Sequence, residues 1–459
     1  VISLPDLLSV GSPLPLYRQL YEGVSAAVRD GRLPPGTRMP GKRSLAAQLG
    51  VSVSTVDAAY QQLAAEGYIE SRPRSGFYVM DCAGLPVPAA LPDLPAPPPA
   101  PRWRFDLGTS GADPALFPFR TWGRIQKELL YSRPELLGRG HGQGDEALRA
   151  ALAAHLEQYR GVRCTPEQIV VGAGIEYLLG LLAHLLGPSP LVAVEDPGYR
   201  RARRVLENEG VPCVCVPVDR QGLSVEQLAA GKANIAYVTP SHQFPTGAVM
   251  PAARRAALLR WAGQQPGRLV IEDDYDSEFR FATRPLPSLQ GMAGGQGVAY
   301  VGTFSQSLAP SIRIAYMVLP PQLLEAYREQ YGSYASTVSR FEQQTLCRFL
   351  TEGHFSRHLA RLRSRYQKRA AALTAVLADA FPAWSIRGAH TGLHLLLEVP
   401  DREAERVAAA RAAGIRLSGL AEYATQPPQR AGVVLGYGAL PDADLPDAVQ
   451  ALAEAWRGM

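Results

Sequence analysis

Five short runs in this 459-residue chain carry side chains that can hold a charged small molecule. EDDYDSEF, residues 272–279, follows an apolar stretch and so puts Asp273 and Tyr275 at a strand end, where open α/β sheets bind ligands. GAGIEY, residues 172–177, follows another apolar stretch and opens a helical pattern. Backbone N–H groups at Gly174, Ile175 and Glu176 can there face an anion, with the positive end of the helix dipole behind them. A glycine turn before a helix is common in α/β proteins, so that run is weak alone. EDPGY, residues 195–199, and TPSHQFPTG, residues 239–247, follow two further strands. GTFSQSLAPSIR, residues 302–313, adds Thr303, Ser305 and the permanent charge of Arg313, with Gln306 among them.

These runs need a scaffold that brings strand ends together. From Arg102 onward, apolar segments at 168–171, 191–194, 213–216, 235–238, 269–272 and 299–301 alternate with amphipathic helical patterns. That alternation predicts an α/β domain with a mostly parallel sheet. A long helical region is expected over 340–380. A smaller α+β unit follows, with strands at 392–398 and 432–437 and helices at 402–413 and 445–456. The run CAGLPVPAALPDLPAPPPAP, residues 82–101, is a proline-rich spacer that favours polyproline conformation. The expected organisation is therefore a domain over 1–81, a linker over 82–101, a large domain over 102–339, and the long helix with a small domain over 340–459.

Composition is that of a globular protein, with 46% hydrophobic and 19% charged residues. A formal charge of +5 permits a polyanionic partner without requiring one. The five cysteines are scattered. Cys213 and Cys215 alternate in one strand and are expected to point together as small core residues, and no second Cys or His cluster completes a metal site. The most apolar stretch, 178–194, is interrupted by His184, Gly187, Pro188 and Pro190, so no membrane span is expected. No charged segment followed by an apolar core opens the chain, and a cytoplasmic location is expected.

The first 81 residues read as helix, turn, helix and hairpin. A helix is expected over 16–28, a second over 42–49 ending at Gly50, and a third over 55–65 capped by Ser52 or Ser54. Strands at 68–70 and 77–79 flank a turn that reads RPRSG, residues 72–76. This order resembles the winged helix-turn-helix of the GntR regulators over residues 14–80. The resemblance implies a double-stranded DNA operator as partner, with phosphate contacts from Arg38, Lys42 and Arg43 and from a wing made of Arg72, Arg74, Ser75 and Gly76. Base reading would fall to Ser52, Ser54 and Thr55 at the start of the third helix. Family members often carry Arg where this chain has Val53. Eight basic side chains face seven acidic ones over residues 1–81, so the positive charge is local. A second basic run, 354–369, reads as the wet face of a long helix.

From about residue 105 to 456 the chain resembles fold-type-I, pyridoxal-phosphate-dependent aminotransferases, and the whole resembles the MocR/GabR subfamily of GntR regulators. The resemblance implies a cofactor site. Gly174, Ile175 and Glu176 would hold the phosphate, with Thr303, Ser305 and Arg313 as its second grip. Tyr199 would stack on the pyridine ring, Asp273 would pair with the ring nitrogen, and Tyr275 would bond the ring oxygen. Arg201 is the candidate for an effector carboxylate. Two departures stand out. Aminotransferases place an asparagine where this chain has Phe244, and the lysine that binds the cofactor as a Schiff base is replaced by Gln306. An amide neither condenses with an aldehyde nor shuttles protons. None of the four lysines, Lys42, Lys127, Lys232 and Lys368, lies in a pocket run.

Three functions follow from the resemblance. One is a DNA-binding regulator that senses a small effector, binding pyridoxal phosphate without a covalent bond if at all. Another is an aminotransferase with an appended DNA module, which Gln306 disfavours. The third is a regulator that no longer senses this cofactor. The resemblance also implies a homodimer formed through the aminotransferase-like domain.

Overall fold

The computed structural model describes residues 8, 12–82, 102–281 and 286–459. The chain forms two compact units, Val1–Ala100 and Pro101–Met459. The expected proline-rich spacer lies outside the described residues, Cys82 excepted.

In the first unit, α1 (Leu16–Arg29) buries Leu20, Val24, Ala27 and Val28, the one-face spacing of an amphipathic helix. That face packs on Val56, Ala59, Tyr60 and Leu63 of α3 (Val53–Ala65). Between them, α2 (Lys42–Leu49) stops at Gly50, whose φ of 66° lies in the left-handed region. Ser52 is the N-cap of α3: its hydroxyl accepts from the Thr55 N–H at 3.1 Å. Ser54, the alternative cap, instead lies within the first turn. β1 (Ile69–Arg72) and β2 (Gly76–Val79) pair antiparallel with Ile69 opposite Val79, forming the wing. Its turn puts Arg74 at φ 60° and Gly76 at φ 110°.

The second unit is built on an eight-stranded sheet. After the short β3 (Phe105–Asp106) come β4 (Ile169–Gly172), β5 (Val192–Asp196), β6 (Cys213–Asp219), β7 (Gly222–Leu223), β8 (Ile235–Val238), β9 (Leu269–Asp274), β10 (Val298–Thr303) and β11 (Ala315–Val318). Spatial order is β4-β11-β10-β9-β8-β5-β6-β7. β11 runs antiparallel to both neighbours, β7 folds back on β6, and the other strands run parallel. β4, β8, β9, β10 and β11 are buried throughout, as strands covered on both faces should be. The carboxyl ends of the parallel strands and the start of β11 therefore share one edge.

Several strands run further than their apolar residues predict. Asp273 and Asp274 belong to β9 and pair with Val301 and Gly302 of β10, so buried carboxylates sit inside the sheet. The cysteine reading is corrected too. Cys213 is only half-buried and Cys215 is exposed, because β6 is flanked on its outer side by the two-residue β7 and its outward face is left open. The expected long helix is two helices, Arg340–Thr351 and His354–Ala380, separated at Gly353 with φ 71°.

The C-terminal part adds β12 (Ile386–Arg387), β13 (His394–Glu398), β14 (Ile415–Arg416), β15 (Ser418–Gly419) and β16 (Gly432–Gly436). Four of these form a sheet in the order β12-β13-β16-β15, while β14 pairs with β3. Among the described residues, no helix is long and apolar enough to cross a membrane.

Candidate functional site

The shared strand-end edge collects the expected pocket residues of the second unit. β4 gives way to Gly174, the N-cap of helix Ile175–Leu185, at φ 98° and ψ 165°. This region of backbone space is nearly confined to glycine. A second reason for glycine is spatial: a Cβ here would overlap the Arg313 guanidinium, with Cζ 2.6 Å away. Arg313 itself sits just before β11 at φ 56° and donates to the Ala173 carbonyl at 3.2 Å and to Glu176 Oε2 at 3.0 Å. Arg201 donates to Glu176 Oε1 at 3.2 Å, so one carboxylate orients two guanidinium groups. At the end of β10, the Thr303 and Ser305 hydroxyls lie 2.9 Å apart, and the Ser305 N–H donates to Thr303 Oγ1 at 3.1 Å.

Asp273 is buried near the end of β9. Its Oδ2 accepts from the Tyr237 hydroxyl, while its Oδ1 is buried without a partner. Burial pushes this carboxyl up to about 7. Glu195, at the end of β5, is likewise pushed up to about 7 by burial, although its Oε2 accepts from Thr239 and Gln243. Tyr199 is half-buried and meets Phe244 edge-on at 5.9 Å between ring centres. Phe244, in the asparagine slot, also contacts Tyr275, His394 and Tyr423 through its ring. The Tyr275 hydroxyl donates to the His242 carbonyl at 3.0 Å.

Gln306 follows directly on this edge, and its Oε1 is buried without a hydrogen-bond partner. No lysine compensates. Lys127 lies on helix Phe119–Ser132, Lys368 on helix His354–Ala380, and Lys232 before the amino end of β8.

A buried group that the sequence did not reveal lies beside Tyr275. His242 Nδ1 and Asp276 Oδ2 share a hydrogen bond of 2.8 Å, and the His242 and His394 ring centres are 4.4 Å apart. Ligand-capable atoms of the three side chains all fall within 4.8 Å of one another. Burial holds both imidazoles neutral, down to about 3, and raises Asp276 to about 8. Gly392 is required here, since a Cβ would strike the His242 ring and the Asp276 carboxylate. The available signals were a histidine inside TPSHQ and an acid inside DYDSE. Nothing in their spacing joins either to β13.

In the first unit, a cleft of about 940 Å³ runs between α2 and the wing, lined among others by Arg38, Lys42, Arg43, Gln48, Gly76 and Phe77. Lys42 is not a free cation: its ammonium pairs with Asp57 of α3 and lies 5.0 Å from the Phe77 ring centre. Asp57 is one of the seven acids over residues 1–81, but it lies 15 positions from Lys42 in sequence, and only the packing of α2 on α3 brings the two together. Arg72 pairs with Glu70 at 2.5 Å and covers the Tyr78 ring. Ser75 and Tyr78 share a hydrogen bond of 2.7 Å, which fixes the wing turn. The Ser52 hydroxyl lies 2.8 Å from that of Ser54 and 2.7 Å from that of Thr55, so the three polar groups expected to read bases form one cluster.

Residues 16–79 match the family described as bacterial regulatory proteins, gntR family, and residues 113–425 match aminotransferase class I and II. The uncharacterized HTH-type transcriptional regulator YdeL of Bacillus subtilis is 39% identical over 97% of this chain and 97% of its own. The probable rhizopine catabolism regulatory protein MocR of Rhizobium meliloti is 33% identical over 98% of this chain and 95% of its own. This chain belongs to the MocR/GabR subfamily of GntR transcriptional regulators. An archaeal alanine:glyoxylate aminotransferase shares the fold of the second unit of this MocR-type chain, with a TM-score of 0.71 at 23% identity over 77% of this chain and 90% of that one. The edge described above lies in the MocR-type aminotransferase-like unit, and the Ser52 cluster and wing lie in its GntR unit.

Proposed function

We propose that this protein is a DNA-binding transcriptional regulator whose aminotransferase-like unit holds a pyridoxal-phosphate-type ligand without a covalent bond and reads it as a signal. The observation that carries this reading is Gln306, an amide on the edge where Asp273, Tyr199 and Arg313 also gather. The residues fit the ligand: the unpartnered Asp273 Oδ1 can accept a ring N–H, and Gly174, with no Cβ, lets the Arg313 guanidinium lie against the start of the helix. The N–H groups at the start of helix Ile175–Leu185 and Arg313 would take the phosphate, with Thr303 and Ser305 donating their hydroxyls. Tyr199 would cover one ring face, and Phe244, edge-on to Tyr199, would border the ligand with an apolar side chain. Tyr275 would bear on the ring oxygen, although its proton is directed at His242. Arg201 would meet an effector carboxylate.

When bound, the cofactor supplies an electron-poor ring that stabilises a carbanion. This chain has no group at position 306 that can move a proton there. Loss of a general base costs about 10²- to 10⁴-fold in rate, so sustained transamination is not the function proposed. Arg38, Arg43, Arg72, Arg74, Ser75 and Gly76 would contact operator phosphates, with Lys42 held back by its ion pair with Asp57, while Ser54 and Thr55 would face the bases beside the cap Ser52. A homodimer would cover the apolar side chains that the second unit exposes, among them Leu130, Tyr131 and Leu137.

The test uses the full-length protein. Arg43→Ala or Arg74→Ala should weaken binding to every duplex and flatten its salt dependence, whereas Thr55→Ala should change sequence preference. Borohydride with pyridoxal phosphate should trap nothing at position 306, and Gln306→Lys should yield a reducible adduct there. Equal affinity for all duplexes, or failure of the folded Gln306→Lys protein to capture the cofactor, would overturn the respective half of the proposal.

A further inference from the structure

The state of the ligand is written into the same edge. Gln306 presents a buried carboxamide oxygen with nothing to accept. An acceptor in that position calls for an N–H donor. Pyridoxal phosphate ends, at the carbon that a lysine would attack, in an aldehyde that has no hydrogen to donate. Pyridoxamine phosphate carries an ammonium group there, with three donors.

The surroundings are compatible with the same choice. The buried side chains at neighbouring strand ends, Asp273 and Glu195, are acids and not bases. Arg201 and Arg313 both donate to Glu176, whose carboxylate offsets part of their charge. The exchange of lysine for glutamine acts on the two ligands in opposite directions. The aldehyde form loses its covalent anchor. The amine form never had one, and it sheds repulsion from a lysine ammonium while gaining an acceptor.

We propose that the ring site of this protein selects the amine form, pyridoxamine 5′-phosphate, over the aldehyde form, with Gln306 Oε1 as the selecting atom. This rests on the reading of the edge as a pyridoxal-phosphate-type site. The regulator would then report on the amine form of the cofactor pool, the form produced by reactions that transfer an amino group onto it.

Full-length protein freed of small molecules by exhaustive dialysis is titrated calorimetrically with pyridoxamine 5′-phosphate and, separately, with pyridoxal 5′-phosphate. Borohydride reduction and mass measurement identify any aldehyde adducts at Lys42, Lys127, Lys232 or Lys368. A hydrogen bond to a charged donor predicts Kd about tenfold or more lower for the amine form. Gln306→Glu keeps the acceptor and adds charge, and should widen the preference. Gln306→Met should bring the two affinities within about twofold of each other, once the acceptor is gone. Arg313→Ala should weaken both ligands alike. Equal or tighter binding of the aldehyde to the unmodified chain would overturn the proposal, as would a tenfold preference that survives in Gln306→Met. If neither ligand binds the unmodified chain while Gln306→Lys still captures pyridoxal phosphate, the pocket stands and the selectivity is refuted. If Gln306→Lys captures nothing either, the site reading beneath it falls as well.

Discussion

Gly174→Ala tests the phosphate end of the edge with one methyl group. Two effects follow from the geometry. The backbone at φ 98° and ψ 165° is a conformation that costs a residue bearing Cβ about 1–3 kcal/mol. The new methyl would also overlap the Arg313 guanidinium, which must swing away and abandon its bonds to the Ala173 carbonyl and Glu176. Arg313 is half-exposed, so its displacement should add little to the unfolding penalty. Its loss from the pocket should matter more. A charge-assisted bond to phosphate contributes about 1.5–3 kcal/mol, which is roughly 10- to 100-fold in Kd. Calorimetric titration with pyridoxamine 5′-phosphate and urea unfolding would separate the two effects. In an Arg313→Ala background the methyl no longer displaces anything that binds, so Gly174→Ala should then cost stability while changing affinity far less. Additive losses of affinity in the double variant would refute the collision as the cause. Unchanged stability in Gly174→Ala would refute the backbone cost.

Three further outcomes are expected. Asp57→Ala should release Lys42 for phosphate, so that duplex affinity rises and the log–log salt slope steepens by about 0.9, measured by fluorescence anisotropy at several salt concentrations. Arg160→Met should cost about 3–5 kcal/mol in urea unfolding, because it strands the Asp274 carboxylate that Arg160 Nε contacts at 2.6 Å within the core. In the parent chain Arg160 and Tyr300 hold Asp274 below its usual value, so its contribution is present above about pH 4 and declines as pH falls; in Arg160→Met the slope should reverse sign. His394→Asn should make acid loss of stability shallower between about pH 6 and 4, by up to about 1.4 kcal/mol per pH unit. The reason is that His394 stays neutral down to about 3 when folded, whereas the unfolded chain takes up a proton near 6.5.

The fold was legible where hydrophobic period and turn chemistry agree. Gly50, Ser52 and the turn at 72–76 mark the first unit residue by residue, and the apolar segments locate six strands of the large sheet to within a few positions. Strand ends were hidden by their polar side chains. Asp273 and Asp274 read as a polar stop, yet the backbone continues to pair with β10 while the carboxylates are buried. The edge of the sheet was misread at Cys215 for a related reason: alternation reports a shared face, not what covers it. The residues at 172–177, 195–199, 272–275 and 302–313 could be found because each follows a strand. The partners that set their behaviour could not be. Asp57 beside Lys42, Tyr237 beside Asp273 and His394 beside His242 are joined only by tertiary structure.

The group formed by His242, Asp276 and His394 has a consequence for how the second unit breathes. His242 Nε2, Asp276 Oδ1 and His394 Nε2 are all sealed from water without a partner. Each such atom costs about 1–3 kcal/mol that hydration would return. A seam carrying three of them resists opening less than the apolar layers around it. His394 begins β13, whereas His242 and Asp276 follow β8 and β9, so the seam joins the smaller sheet to the strand-end edge. Water entering there would loosen that join while leaving the hydrocarbon core dry. The seam lies directly against Tyr275 and Phe244, whose rings contact His242 and His394.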